Sequence, residues 1–369
     1  MKFTLSTKPL VAAANLVIIN SNINEFDDKS YMLEITADRT NLYLNTETHF
    51  IVSEVKLLGT GTEEEPARAF VDALIFKNLI STLKSAQVEI DFTPNSIVVT
   101  SGKSSFSLPM LANAKDGAFR SPLELSSEKI SAADNIDLGK WKYIKKHQLY
   151  AKATSYALPV YTYVWVGKDN DVLVGDLNNN LFTHSKAGQL DMDCLINDSI
   201  VNLIITLPEN TKIIREDNAY MLYIMADSYE YRSQITPTLE SDENGEYNAE
   251  TIISIMELGD NTVKVDGAEI LTAINQATLL NKAADAQLTF SVTADGLLIK
   301  NPYINAVIPI EGNVGYPYTL RFTPSVLKSF ISNCPDMNLE LCPRVNDGEV
   351  AGIIVHTKDY TAVVGGDDD

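Results

Sequence analysis

The most chemically distinctive stretch of the chain is GKWKYIKKHQLYAKA, residues 139–153, which holds five lysines and no acidic residue. Clustered ammonium groups bind phosphates, and contacts of this kind do not read base sequence. The whole chain, in contrast, has a formal net charge of −20 at pH 7. This charge argues against nucleic-acid binding over the entire surface, so that a local basic face becomes the candidate site.

The spacing within this stretch predicts an amphipathic helix. On a helical projection Lys142, Lys145 and Lys146 fall on one side, and Trp141 and Ile144 fall on the other. A solvated lysine face is the alternative interpretation of the same pattern. Lysines on other predicted helices favour phosphate binding, and the full candidate set is Lys8, Lys77, Lys84, Lys140, Lys142, Lys145, Lys146, Lys152, Lys282 and Lys328.

Catalytic motifs give little support for an enzyme. GTGTEE at residues 59–64 lacks the GK[ST] of a phosphate-binding loop, and neither GxSxG nor HExxH occurs. The four histidines show no metal-ligand spacing, so we expect no metal and no cofactor. A hydrolase acting through Asp191 and Asp193, which lie in a predicted strand, is the remaining catalytic hypothesis.

The cysteines and the hydropathy indicate a cytoplasmic location. The three cysteines are an odd number without a CxxC pair, which fits a reducing compartment rather than a disulfide framework. No apolar run approaches the roughly 18–20 residues that a membrane span needs. The first ten residues, MKFTLSTKPL, lack the apolar core of a signal peptide.

An internal repeat predicts the architecture. Residues 30–45, 161–176 and 286–301 each alternate apolar and polar residues on both sides of a polar turn, which is typical of a β-hairpin. Strand–helix units flank each hairpin; one helix has Leu10, Ala13, Ala14 and Val17 on a single stripe. These patterns predict an α+β fold of three tandem modules, each with two helices on antiparallel sheets.

Composition places the module boundaries. Residues 112–135 and 236–250 are rich in Ser, Pro, Gly, Asn and charged residues, as linkers tend to be. We therefore predict modules at 1–117, 118–245 and 246–369.

Three segments carry a resemblance to a known family. They are the opening MKFTLSTKPLVAAANLV, SGKSSFSLPML at residues 101–111, and YEYRSQITP at residues 229–237. Together with the threefold repeat, they resemble the bacterial-type sliding clamp, the beta subunit of DNA polymerase III, over the whole chain.

This resemblance implies a DNA-clamp fold and a function without catalysis. Two chains would join head to tail into a ring of six modules, with each chain's first module against the other's third. Duplex DNA would pass through the hole, lined by the lysine-bearing helices. A DNA polymerase and a clamp loader would be the protein partners.

The resemblance also implies a partner-peptide pocket between modules two and three. The residues carried over are Leu177 and Leu181 in VGDLNNNL, Pro237, and the pair Val363 and Val364. The chain ends in GGDDD where the family has an apolar tail, and the His-Arg pair of the family's turn is absent. This departure suggests a replicon other than a bacterial chromosome, such as a phage. The acidic tail would favour a peptide with Lys or Arg beside its apolar anchors.

Another class of function stays open at this point. A repeat-built structural protein, such as a virion component, would use the same modules for assembly. Replacement of the helix lysines discriminates between the two, since only a clamp needs them for DNA association.

Overall fold

The computed structural model describes most of the chain. The described ranges are 1–18, 31–111, 118–151, 163–167, 169–176, 181–186, 188–190, 193–237, 249–280, 287–334, 336–358 and 360–366. Within these ranges the helices are α1 (Thr7–Val17), α2 (Ala73–Ser81), α3 (Ser127–Ala132), α4 (Leu138–Ala151), α5 (Asp198–Thr206), α6 (Ala249–Ser254), α7 (Gly267–Leu280) and α8 (Pro324–Asn333).

Among the described residues all strand pairs are antiparallel, as predicted. In chain order the strands are β1 (Lys2–Ser6), β2 (Met32–Ala37), β3 (Asn41–Glu47), β4 (Ile51–Leu58), β5 (Thr60–Gly61), β6 (Ala67–Asp72), β7 (Gln87–Phe92), β8 (Ser96–Ser101), β9 (Ser104–Pro109), β10 (Val164–Val166), β11 (Val172–Asp176), β12 (Leu181–Ser185), β13 (Cys194–Ile196), β14 (Lys212–Glu216), β15 (Ala219–Ala226), β16 (Tyr229–Ile235), β17 (Val263–Asp266), β18 (Leu288–Thr293), β19 (Gly296–Lys300), β20 (Asn305–Ile308), β21 (Glu311–Gly312), β22 (Tyr318–Phe322), β23 (Asn338–Asn346), β24 (Glu349–Thr357) and β25 (Tyr360–Gly365).

Tertiary contacts divide the chain into two compact units, each made of two segments. The first unit is Met1–Leu138 with Ser199–Pro237, and the second is Gly139–Asp198 with Thr238–Asp369. The predicted boundaries at 117/118 and 245/246 touch residues that lie outside the described ranges. The three-module division therefore stays a prediction.

The first unit contains two sheets. One has the order β5-β1-β7-β8-β9, and the other has the order β14-β15-β16-β4-β3-β2-β6. Helix α1 packs against α2 and over β3, β4 and β16. The predicted stripe of α1 is buried at Leu10, Ala13, Ala14 and Val17, which confirms the helical periodicity there.

A pair of distant strands completes the larger sheet of this unit. Strand β16 pairs along its whole length with β4, from Ile235 opposite Ile51 to Tyr229 opposite Leu57. At the centre of this pairing the hydroxyl oxygens of Ser53 and Ser233 lie 2.8 Å apart. The seven-stranded sheet therefore depends on two segments that are remote in sequence.

Residues 118–125, which composition places in a linker, cross one face of the seven-stranded sheet. The backbone N–H of Phe119 donates to Glu34 Oε2 at 3.2 Å, and that of Arg120 donates to Glu47 Oε2 at 3.1 Å. Glu34 and Glu47 are buried, and such carboxylates are tolerated inside a protein when they are paired and hydrogen-bonded. Residues 118–125 of the predicted linker are thus an ordered strap, which leads into α3, a helix that the linker prediction missed.

The second unit also contains two sheets. The larger has the order β13-β10-β11-β12-β25-β24-β23-β17-β21, and the smaller has the order β20-β19-β18-β22. Helix α7 packs against α8 and contacts β19 and β20. Helix α7 buries one stripe of apolar residues, namely Ile270, Ala273, Ile274 and Ala277.

Candidate functional site

Residues 139–151 of the lysine segment lie in helix α4, and two residues fix the apolar side of this helix. Trp141 and Ile144 are fully buried, as the helical projection predicts. The indole Nε1 of Trp141 donates to Gln189 Oε1 at 3.0 Å, which sets the rotation of the helix. Lys142 is exposed, whereas Lys145 and Lys146 are half-buried. Helix α4 therefore presents a cationic edge anchored by a buried tryptophan.

One further lysine of this helix is held by a hydrogen bond, and the neighbourhood of Lys146 is also defined. The Nζ of Lys140 donates to the Gly188 carbonyl at 3.4 Å. Burial raises the pKa of the Cys334 thiol to about 12, and the charge of Lys146 acts in the opposite direction. Lys146 therefore lies near the carboxyl end of α8, the helix that carries Lys328.

The other candidate lysines differ in how free they are to meet a phosphate. Lys8 on α1 and Lys328 on α8 are exposed. Lys77 on α2 is half-buried, and its Nζ donates to the Ile18 carbonyl at 3.3 Å, at the carboxyl end of α1. A cation is favourable there because it complements the helix dipole. Lys77 therefore has a structural contact, which the sequence did not indicate.

The remaining predicted site residues lie beyond a helix end, before a strand or outside the described residues. Lys84 was predicted on a helix, but α2 ends at Ser81, so that Lys84 lies exposed in the following turn. Lys152 and Lys282 lie outside the described residues. Asp193 was predicted within a strand, but β13 begins one residue later, at Cys194, and Asp191 lies outside the described residues. Among the described residues, no group of three or more His, Cys, Asp or Glu side chains could hold a metal ion.

The predicted partner pocket is only partly assembled by strand pairing. The backbones of Leu181 and Val364 are register partners in β12 and β25, and Phe182 is opposite Val363. Val363 and Val364 are fully buried, and as neighbours in a strand they point to opposite faces of the sheet. Leu177 lies outside the described residues, and Pro237 is buried in the first unit.

Val363 belongs to an apolar surface that we call the covered face. It consists of Trp165, Leu173, Phe182, Leu195, Ile354 and Val363, all on the nine-stranded sheet. Phe182, Val363 and Ile354 are register partners on neighbouring strands, which puts their side chains on one face. Helix α6 packs there through Ala249 and Ile252, followed by Met256. Val363 is therefore enclosed by this chain's own helix.

An open groove adjoins the covered face. It has a volume of about 650 Å³, and its apolar lining includes Ile255, Tyr316, Cys342, Pro343, Val345 and Ile354. Ile255, Cys342 and Ile354 also belong to the cluster around the covered face or pack against it. The groove and the covered face are therefore parts of one continuous apolar surface. Sequence reasoning missed both, because α6 begins at Ala249, inside residues 236–250, which composition placed in a linker.

Solved structures share this fold over the whole chain. A chain from Eubacterium rectale, provisionally described as a DNA polymerase III beta subunit, matches with a TM-score of 0.76 at 15% identity, covering 100% of both chains. The DNA polymerase sliding clamp of Caulobacter crescentus matches with a TM-score of 0.74 at 14% identity, again covering 100% of both. That of Bacillus subtilis matches with a TM-score of 0.72 at 18% identity, covering 100% of this chain and 99% of the other. This chain has the sliding-clamp fold.

The likeness to sliding clamps is one of fold, at low sequence identity. No family sequence model and no curated protein sequence matches the chain. The predicted fold class is thereby confirmed, including the antiparallel sheets and short helices of a clamp. None of the described helices is long and apolar enough to cross a membrane.

Proposed function

We propose that this protein is a DNA sliding clamp, a processivity factor that encircles duplex DNA and tethers a polymerase. The observation that carries the proposal is the match to clamp structures along the entire chain. The lysine-bearing helices support it, because α1, α4 and α8 present Lys8, Lys142 and Lys328 to solvent. In the proposed ring these helices face the DNA, and their ammonium groups contact phosphates without reading bases.

Function by enclosure requires no catalytic group, so we propose that the protein is not an enzyme. The net charge of −20 fits this role, since an acidic exterior keeps DNA from binding outside the hole. A DNA polymerase and a clamp loader are the proposed partners, and the cytoplasm is the proposed location. A phage replicon stays a hypothesis based on the divergent tail.

The two edge strands β9 and β20 support a head-to-tail dimer. Strand β9 ends the five-stranded sheet, and strand β20 ends the four-stranded sheet. Each edge bears exposed apolar residues, since Phe106 is 38% and Val307 is 63% exposed. An exposed apolar edge strand is a template for pairing with another chain. We propose that β9 of one copy pairs with β20 of the other.

A groove beside β20 offers a receptor for such an edge. It measures about 360 Å³ and lies between α7 and β20, lined by Ala268, Glu269, Thr272, Ala273, Gln276, Ala306 and Ile308. Its small and aliphatic side chains would accommodate the ring of Phe106 from the second copy. The proposed interface thus places the partly exposed ring of Phe106 against the alanines and Ile308 of this groove.

Imaging of the purified chain tests the proposal. Negative-stain images at high protein concentration, with the mass measured in parallel by sedimentation, should give rings with a central hole at twice 40.6 kDa. Dimers without a hole would reject the clamp and favour the structural assembly protein. A covalent ring, closed by paired cysteines in β9 and β20, should remain on circular DNA in high salt and leave once the DNA is linearised.

A further inference from the structure

Helix α6 depends on the covered face for its structure. It has only six residues, and isolated helices of fewer than about 12 residues are marginal in water. The hydrogen bond from Met256 N–H to the Ile253 carbonyl, at 3.0 Å, is local to the segment. The segment packs on the sheet through Ala249, Ile252 and Met256, whose side chains are at most 7% exposed. Its helical form therefore requires this packing.

The loop that follows α6 has attachments of its own. The Asn261 Oδ1 accepts the Gly315 N–H at 2.7 Å, and its Nδ2 donates to the Tyr316 carbonyl at 3.1 Å. The Gly259 N–H donates to Cys342 Sγ at 3.2 Å. These bonds hold residues 259–261 without help from Ile252. The position of this loop therefore does not depend on the packing of α6.

The open groove gives a displacing segment access to the same surface. Ile255 forms part of its wall and also packs against the cluster beneath α6. Ile354 lies under both the groove and α6. A segment that enters the groove would thus meet the edge of α6 first and could replace its apolar contacts one after another.

We propose that α6 occupies, within this chain, a docking surface for an amphipathic helical segment of a partner protein. The partner segment should resemble the segment that it replaces. It should carry two aliphatic side chains four residues apart, which would take the places of Ile252 and Met256. The inference rests on the proposed function, because it describes how a tethered partner reaches Val363. Partner binding is then a competition with a resident segment.

Binding of a copy of α6 from solution tests this proposal. The probe is a fluorescein-labelled peptide with the sequence of residues 249–258, AETIISIMEL. A segment tethered in place competes at an effective concentration of the order of millimolar. The variant Ile252→Ala with Met256→Ala weakens the resident segment, so that it should bind the peptide at least about tenfold tighter than the unaltered chain. Glu250→Gln, on the exposed side of α6, is the matched control and should bind like the unaltered chain.

Two further measurements identify the surface. Phe182→Ala in the weakened variant should abolish the gain in affinity, as should a peptide that carries Ile252→Asp. In the weakened variant, saturating peptide should decrease labelling of Cys342 by N-ethylmaleimide, because Cys342 lines the groove and belongs to the cluster that the peptide covers, while labelling of the buried Cys194 and Cys334 should not change.

Failure of the peptide to bind a weakened variant that circular dichroism shows to be folded would overturn the proposal. Equal affinity for the weakened variant and the unaltered chain would also overturn it. Neither assay contains DNA or depends on a ring, so that a failed clamp function would leave these results unchanged.

Discussion

Arg232 of β16 forms a buried ion pair with Glu54 of β4, across 178 positions of the chain. Their side chains are 12% and 7% exposed, respectively. A second guanidinium nitrogen of Arg232 reaches Glu124 of the strap, with Nη1 and Oε1 2.6 Å apart. One arginine thus connects the neighbouring strands β16 and β4 of the seven-stranded sheet with the strap that crosses the sheet.

Removal of Arg232 should destabilise the first unit strongly. Arg232→Met leaves the Glu54 carboxylate buried without its partner, which costs about 3–5 kcal/mol. Urea unfolding would measure the loss, and the double variant with Glu54→Leu should recover much of it. Arg39→Met is the matched control, because Arg39 is 72% exposed in its pair with Glu64 and should contribute below about 1 kcal/mol. Equal losses in both single variants would contradict this account.

The contact between Glu124 and Arg232 should contribute stability that depends on pH. The hydrogen bond from Arg232 and its charge lower the pKa of Glu124 below the ordinary 4.5. A lowered carboxyl pKa stabilises the folded state above the unfolded pKa, and this stabilisation disappears as the pH falls through the folded value. Glu124→Gln should therefore reduce stability by less than about 1 kcal/mol at pH 6, since Glu124 is 85% exposed. The difference in the free energy of unfolding between this variant and the unaltered chain should shrink below pH 4.5. A difference that stays constant with pH would exclude titration of Glu124 as its cause.

Charge reversal on the helices should weaken duplex binding and its salt dependence. Lys8→Glu with Lys142→Glu removes two exposed cations, each of which releases about 0.9 counterions from the DNA when it binds. The slope of log affinity against log salt should therefore become shallower by about 2. Fluorescence anisotropy with a duplex at several salt concentrations gives this slope.

Lys300→Glu with Lys358→Glu is the matched control for this experiment. Both lysines are exposed and neither lies on a helix, and the change in charge is the same. An equal effect of the two pairs would mean that net charge, rather than the helix face, governs DNA binding.

Substitution of Phe106 should dissociate the proposed dimer. Phe106→Asp puts a charge on edge strand β9, where pairing with β20 of a second copy would have to bury it. Sedimentation should show at least a tenfold rise in the concentration at which dimers form. Leu58→Asp alters a residue that is 62% exposed at the end of β4 and should leave the dimer intact. A dimer unaffected by Phe106→Asp would place the interface elsewhere.

Periodicity predicted the buried sides of α1 and α4, because local spacing alone decides which side of a helix is apolar. It could not predict that β4 pairs with β16, since register between distant strands depends on the whole sheet. The contact of Lys77 with the Ile18 carbonyl could not be predicted either, because the two residues are 59 positions apart in the sequence. Helix α6 was missed because a short apolar run does not distinguish helix from strand.

The pairing of β4 with β16 also sets an order of events on the ribosome. Strand β4 emerges about 178 residues before its partner, and at ~5–20 residues per second the delay is roughly 9–36 s. During that interval the nascent chain exposes the edge of β4 to other chains, which is a hazard for aggregation. A chain truncated before β16 would leave this edge of β4 unpaired permanently. Premature termination should therefore give aggregated protein, and so should a shortage of chaperones during synthesis.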